Sequence, residues 1–151
     1  MKSVFNQPDS QELIQRINKL SPGSKALWGK MDVSKMLAHC NVPYAYTFEK
    51  EKFKKPNALK RFLLKAMVKK LVLSPKPYGK NGRTAPEFII TDERNFEVEK
   101  ELLIQYIIKT QQLGEHYFEG LENLSFGKMT AKEWNTLYYK HLDHHLVQFG
   151  V

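Results

Sequence analysis

The stretch from Thr130 to Phe149 constrains the fold more than any other part of the chain. It contains neither glycine nor proline, and it opens on Thr130 and Glu133. That is the spacing of a capping box, in which each side chain satisfies the other residue's backbone N–H. The spacing predicts a helix running from here towards the C-terminus. At about 100° per residue, Trp134, Leu137, Tyr138, His141, His145 and Gln148 fall on one stripe. The stripe begins apolar, so it faces a core, and then turns to imidazole. His141 and His145 stand one turn apart near its centre, where helical Cβ atoms are about 5–6 Å apart and two imidazoles can grip one metal ion. His144 falls at the edge, nearer solvent, and Asp143 points away. The competing account is a solvated helix end, where histidines favour the negative end of the helix dipole. That account suits His144. It suits two imidazoles on a core face badly, because a buried imidazole needs a partner for each nitrogen. A metal site needs a third ligand.

The chain of 151 residues is long enough for one domain with a real core, and its 42% apolar and 12% aromatic content is globular. A single cysteine, Cys40, excludes an internal disulfide and suits a reducing compartment. The first residues carry no apolar run of signal-peptide length, and no run elsewhere is long enough to span a bilayer. A cytoplasmic protein is expected. The formal charge of +8 is unevenly spread. Lys50 to Lys80 holds eleven basic residues and one acid, a net +10, so the remainder carries −2.

Asp9 and Glu12 suggest a capping box for a first helix, followed by Leu13, Ile14, Ile17 and Leu20 at helical spacing and stopped by Ser21-Pro22-Gly23. Asp32 is the next N-cap. A second helix runs from Val33 towards Lys50 on a stripe of Val33, Met36, Leu37, Cys40, Tyr44 and Phe48, with Pro43 inside it as a source of a kink or a freed carbonyl. His39 lies on the flank of that stripe, and periodicity alone does not choose it. Asn57 to Leu73 reads as a third helical piece, with Leu59, Phe62, Leu63, Ala66 and Met67 on one face. Arg61, Lys65 and Lys69 line the other, shared with Leu64, Val68 and Val72. Three readings of this basic piece compete: a surface helix with solvated lysines, a helix on an anionic membrane, and a nucleic-acid footprint. The first is favoured, so neither nucleic acid nor membrane is expected as a partner. The second apolar side hints at self-association.

Ser74 to Pro86 is a long loop punctuated by proline and glycine, and Glu87 to Thr91 is short enough to be extended. A long helix is expected from about Asp92 to Phe118, then a turn region from Gly120 to Lys128 before the final helix. The reading is all-α, one domain over 1–151: four principal helices with an inserted basic helix and long loop between the second and third. Such bundles build metal and ligand sites from side chains on facing helices.

Two motifs carry a family resemblance. Trp28-Gly-Lys-Met-Asp-Val-Ser-Lys-Met-Leu-Ala-His39-Cys, together with Glu133-Trp and His141-Leu-Asp-His-His145-Leu-Val-Gln-Phe-Gly150, resembles the DinB-like superfamily of metal-binding four-helix bundles, in a bacterial branch of it. Phe96 with Glu99-Lys100, and Phe126-Gly127-Lys-Met-Thr, fit the same pattern. In that superfamily one histidine of the second helix and a His-x3-His pair of the fourth bind a divalent metal. The resemblance thus implies His39, His141 and His145 as the ligands, and it supplies the third one that spacing left open.

Three neutral imidazoles suit zinc, nickel or iron and leave a coordination position for water or substrate. Some relatives are thiol-dependent S-transferases, so the resemblance implies a metal-dependent transferase or hydrolase with a small-molecule thiol as substrate. Homodimers are common among them. Gln148, one turn beyond His141, and Tyr138 are candidates for the layer behind the ligands. Trp134 and Tyr138 also read simply as core. No general base is apparent: Asp143 points outward, and Glu115, Glu119 and Glu122 lie outside the motifs. Cys40 reads as a small buried hydrophobe rather than a nucleophile. Two alternatives stand: a non-catalytic bundle whose metal is structural or absent, and a basic surface module on Lys50–Lys80.

Overall fold

Each principal helix begins at a residue whose side chain accepts from the backbone N–H three positions on. Asn6 accepts from Asp9, Asp32 from Lys35, Asn57 from Lys60, Asn95 from Val98 and Thr130 from Glu133. The computed structural model describes residues 2–82 and 84–151. Helix α1 spans Gln7–Asn18 and α2 spans Val33–Phe48. Helix α3, residues 58–72, is composite: an α segment Ala58–Leu63, a π turn Leu64–Val68 and a last α turn Lys69–Val72. Helix α4 spans Phe96–Phe118 and α5 spans Ala131–Gln148. A two-stranded antiparallel hairpin, Glu122–Asn123 with Gly127–Lys128, sits between α4 and α5.

The fold is all-α, with α1, α2, α4 and α5 forming the bundle. Leu13 and Ile17 of α1, Met36 and Leu37 of α2, Leu103 and Ile107 of α4, and Trp134 and Leu142 of α5 are essentially inaccessible. An aromatic column fills the centre. Tyr44 stacks on Tyr138 at 4.3 Å and on Tyr106 at 5.6 Å, and Phe118 meets Trp134 edge-on at 5.8 Å.

Several local expectations are corrected. The first cap is Asn6, so α1 starts before Asp9, which lies in its first turn. Pro43 is buried inside a continuous α2 and, having no N–H, leaves the His39 carbonyl without its helical donor, as expected. Residues 86–88 form a 3₁₀ turn and no strand follows to Thr91. The long helix starts at Phe96, four residues later than expected, because Asn95 caps it. It also breaks at Gly114, whose φ of 68° and ψ of 173° leave helical space; only glycine adopts such angles freely.

The largest correction concerns α3. Leu64, Val68, Val72 and Leu73 pack on the core, while Leu59, Phe62, Met67 and Leu71 are each about two-thirds or more exposed. The stripe that looked like the buried one faces solvent. Polar anchors hold α3 this way round. Lys69 pairs with Glu133 at 2.7 Å, and Arg61 pairs with Glu122. The Lys140 ammonium donates to the carbonyls of Val72 at 3.2 Å and Ser74 at 2.8 Å, which fixes the C-terminal end of α3 to α5. No helix is long and apolar enough to cross a membrane among the described residues.

Candidate metal centre

Helix α2 presents His39, and α5 presents His141 and His145. The three rings form a nearly regular triangle, with centroids 4.8 Å apart for His39–His141, 4.7 Å for His39–His145 and 4.8 Å for His141–His145. His39 and His145 are buried and His141 is partly buried. One ligand nitrogen from each lies within 4.8 Å of the others. The closest approach is His39 Nε2 to His141 Nε2 at 2.9 Å.

The outer nitrogens are held by the layer behind. His39 Nδ1 donates to the Phe88 carbonyl at 2.8 Å, which leaves Nε2 carrying the lone pair that points inward. His145 Nδ1 lies 2.8 Å from Gln148 Oε1. The amide is oriented by its other end, since Gln148 Nε2 donates to the Trp28 carbonyl at 2.7 Å. Gln148 Oε1 is therefore the acceptor, His145 Nδ1 the donor, and His145 Nε2 is free to face the cluster. With the His39 lone pair inward, the 2.9 Å contact requires His141 Nε2 to donate. Such second-layer partners are how metal-binding histidines are commonly oriented.

The backbone around Gln148 is built to the same end. The Leu27 N–H donates to the Gln148 carbonyl at 2.8 Å. Gly29 has a φ of 85°, and a Cβ there would lie 2.7 Å from Gln148 Nε2. The loop before α2 thus passes over the amide at a distance only glycine allows.

All three imidazoles are held neutral. Burial is the main cause for each. It lowers His39, lowers His141 well below the usual value, and pushes His145 down to about 3. Repulsion among the three adds to this at His141 and His145. The hydrogen bond to Gln148 works the other way at His145, as the Phe88 carbonyl does at His39. Neutral imidazole is the form a metal takes, so no ring has to give up its net charge at pH 7, but the His141 Nε2 proton has to move to Nδ1.

The donor set fits a divalent cation. Ligand nitrogens of a tetrahedral zinc site, with bonds of about 2.0–2.1 Å, stand roughly 3.3 Å apart. The spread from 2.9 to 4.8 Å brackets that value, so small ring movements suffice. Three convergent imidazoles are a costly way to pack an apolar core, because each one is desolvated there.

His144, expected near solvent, is half-buried between Trp28, 5.8 Å away, and Tyr78, 5.6 Å away, with its ring 5.1 Å from His145. Its pKa is lowered by burial, opposed in part by Asp143. Trp28, Tyr78 and Phe88 thus flank the cluster, and Lys80 lies 4.5 Å over the Trp28 ring. Phe88, Tyr78 and Gly29 were not singled out by spacing. Phe88 contributes through a backbone carbonyl, which no side-chain pattern reveals.

Tyr138 stands apart from the histidines' contacts. Its hydroxyl bonds Thr47 Oγ1 at 2.6 Å and its ring belongs to the aromatic column. Cys40 is buried beside Met36, Sγ to Sδ 3.6 Å, and burial pushes its thiol far up, as for an inert hydrophobe. Asp143 is bound to Arg16 at 2.7 Å. Glu119 accepts from the Ala131 N–H, Glu122 binds Lys55 and Arg61, and Glu115 is exposed.

Comparison with known proteins adds the family. Searches among curated proteins and among solved structures give no match. A family described as "Protein of unknown function (DUF1569)" matches residues 2–150, the whole bundle with all three histidines, and the chain belongs to it.

Proposed function

We propose that the protein binds one divalent metal ion through His39, His141 and His145 and uses it as a DinB-like transferase or hydrolase acting with a small thiol or water. The observation that carries this reading is the convergence of three neutral imidazoles from two helices, two of them with the outer nitrogen already committed to an acceptor. When bound, the ion would supply Lewis acidity, lowering a bound water to a pKa of about 7 or stabilising a thiolate. The choice among zinc, nickel and iron is open to all three on this donor set.

The chain's own residues supply the rest. Phe88 lies against His39, and Trp28 and Tyr78 enclose His144 beside the cluster. His144, neutral and half-buried, stands beside the site with its ring 5.1 Å from that of His145. Asp143, Glu119 and Glu122 are engaged elsewhere and Glu115 is exposed, so in this reading the ion itself, and no separate general base, activates the water or thiol.

A non-catalytic bundle with a structural ion is the second reading. The commitment of Asp143, Glu119 and Glu122 to other partners favours it. Elemental analysis of untagged protein purified without chelators or metal columns tests the first step, beside His39→Ala and His141→Ala. About one equivalent of zinc, nickel or iron, lost in both variants, is expected. No metal and no tight uptake on reconstitution overturns the metal reading. Cobalt(II)-loaded protein separates the two roles: added thiol changes the visible spectrum if a coordination position is open, and leaves it unchanged if the sphere is closed.

A further inference from the structure

The outward face of α3 is apolar, has exposed lysines in and beside the helix, and is covered by nothing among the described residues. Leu59, Phe62, Met67 and Leu71 are 67 to 70% exposed and Leu63 is 48% exposed. These five residues fall within thirteen positions of one helix, so they form a stripe rather than the scattered apolar residues that any surface carries. Lys54, Lys65, Lys70 and Lys76, in and beside α3, are exposed. The helix cannot turn this stripe inward, because Leu64, Val68 and Val72 already occupy the core side and Lys69, Arg61 and Lys140 hold it there.

We infer that this face of α3 docks on an anionic lipid surface, lying in the bilayer interface with Leu59, Phe62, Leu63 and Met67 below the headgroups and the lysines among them. Charge decides between occupants. The segment Lys50–Lys80 carries a net +10, and it stays basic after Lys52, Lys55, Arg61 and Lys69 pair with Glu49, Glu122 and Glu133, so a second copy placed face to face would set two basic surfaces against each other. A nucleic acid would meet aliphatic side chains where its phosphates need cations and its bases need stacking partners, and Phe62 is the one aromatic ring on the stripe. A convex helix with an apolar centre and long cationic side chains in and beside it matches an acidic bilayer, because lysine can lay its methylenes on the apolar zone and reach headgroup phosphates. The histidine cluster is formed by α2 and α5, so docking through α3 leaves it free.

Co-sedimentation of the full chain with vesicles tests this. Phosphatidylcholine vesicles are compared with the same vesicles containing about one-quarter phosphatidylglycerol, at low and at high salt. Binding at least about tenfold tighter to the anionic vesicles, weakened by salt, is expected. Phe62→Ser with Met67→Ser should reduce it about tenfold, and so should Lys65→Gln with Lys70→Gln and Lys76→Gln. All these residues are exposed, and unchanged circular dichroism and metal content confirm that each variant is folded. The inference is overturned by no binding to anionic vesicles at low salt, or by binding that the apolar pair of substitutions leaves intact. It is also overturned by a dimer in light scattering that the Phe62/Met67 variant converts to a monomer, which makes a second copy the occupant. Duplex DNA binding that tracks the lysines alone, without vesicle binding, assigns the face to nucleic acid and overturns it likewise.

Discussion

His39 and His141 are 102 positions apart in the chain and meet through their Nε2 atoms at 2.9 Å. In the metal-free protein that contact is a hydrogen bond between two neutral rings. Any ion entering the cluster replaces it, so proton, hydrogen bond and metal compete for the same two nitrogens.

This competition sets a pH dependence. The folded-state pKa of His145 lies near 3, and those of His39 and His141 are lowered, whereas an unfolded histidine titrates near 6.5. The unfolded chain therefore takes up protons first as pH falls. The metal-free protein should hold its full stability above about pH 6.5 and lose it progressively below, at about 1.4 kcal/mol per unit of pH for each histidine that titrates only on unfolding. Denaturant titrations of metal-free protein at several pH values check this. His39→Asn with His145→Gln should flatten the profile.

Gln148 should tune the site without being a ligand. Gln148→Ala leaves the His145 Nδ1–H and the Trp28 carbonyl without their partners. Metal affinity should fall by about 10- to 100-fold, as for other second-layer partners of metal-bound histidines. Competition with a chromophoric chelator measures it. An unchanged affinity would show that His145 is oriented by packing alone.

Gly29 should be intolerant of a methyl group. Gly29→Ala places a Cβ 2.7 Å from Gln148 Nε2 at a φ of 85°. The expected cost is about 1–3 kcal/mol in stability, with a parallel loss of metal affinity through the displaced amide. Gly23→Ala is the control, since the nearest atom to its Cβ is 4.0 Å away. Thermal melts of both variants, with and without metal, separate strain from ligand displacement.

Lys140 should anchor α3. Burial lowers its pKa, and its ammonium caps carbonyls at the end of α3 while lying 4.0 Å over the Tyr78 ring. Lys140→Met keeps the methylene packing and removes the donors, at a cost of about 1–3 kcal/mol. Hydrogen exchange should show the loss first in 64–73, ahead of the bundle helices.

The final helix was legible because all its determinants are local. Thr130 and Glu133 cap each other within one turn, and the 3.6-residue period places His141 and His145 on a common face whatever surrounds them. The caps at Asp32 and Thr130 are of the same kind. Asn6 and Asn95 are harder to read, because Asp9 three positions after the one and Asp92 three positions before the other are equally good local signals. Gly114 broke a helix that periodicity carried straight through, since nothing in the apolar spacing registers a positive φ.

By itself, then, the sequence determined where helices form and that two imidazoles of α5 share a face, because hydrogen-bond satisfaction and helical period act over a few residues. It reached His39 only through family resemblance, since the ring sits on the flank of its own stripe. Tertiary structure decided the rest. The crossing of α2 over α5 turns that flank inward, and the Phe88 carbonyl and Gln148 amide arrive from other elements to fix the rings. It also decided which side of α3 is buried. Both sides are apolar, so the period is equally satisfied either way, and the choice falls to the ion pairs and the Lys140 anchor that α5 and the hairpin present to it.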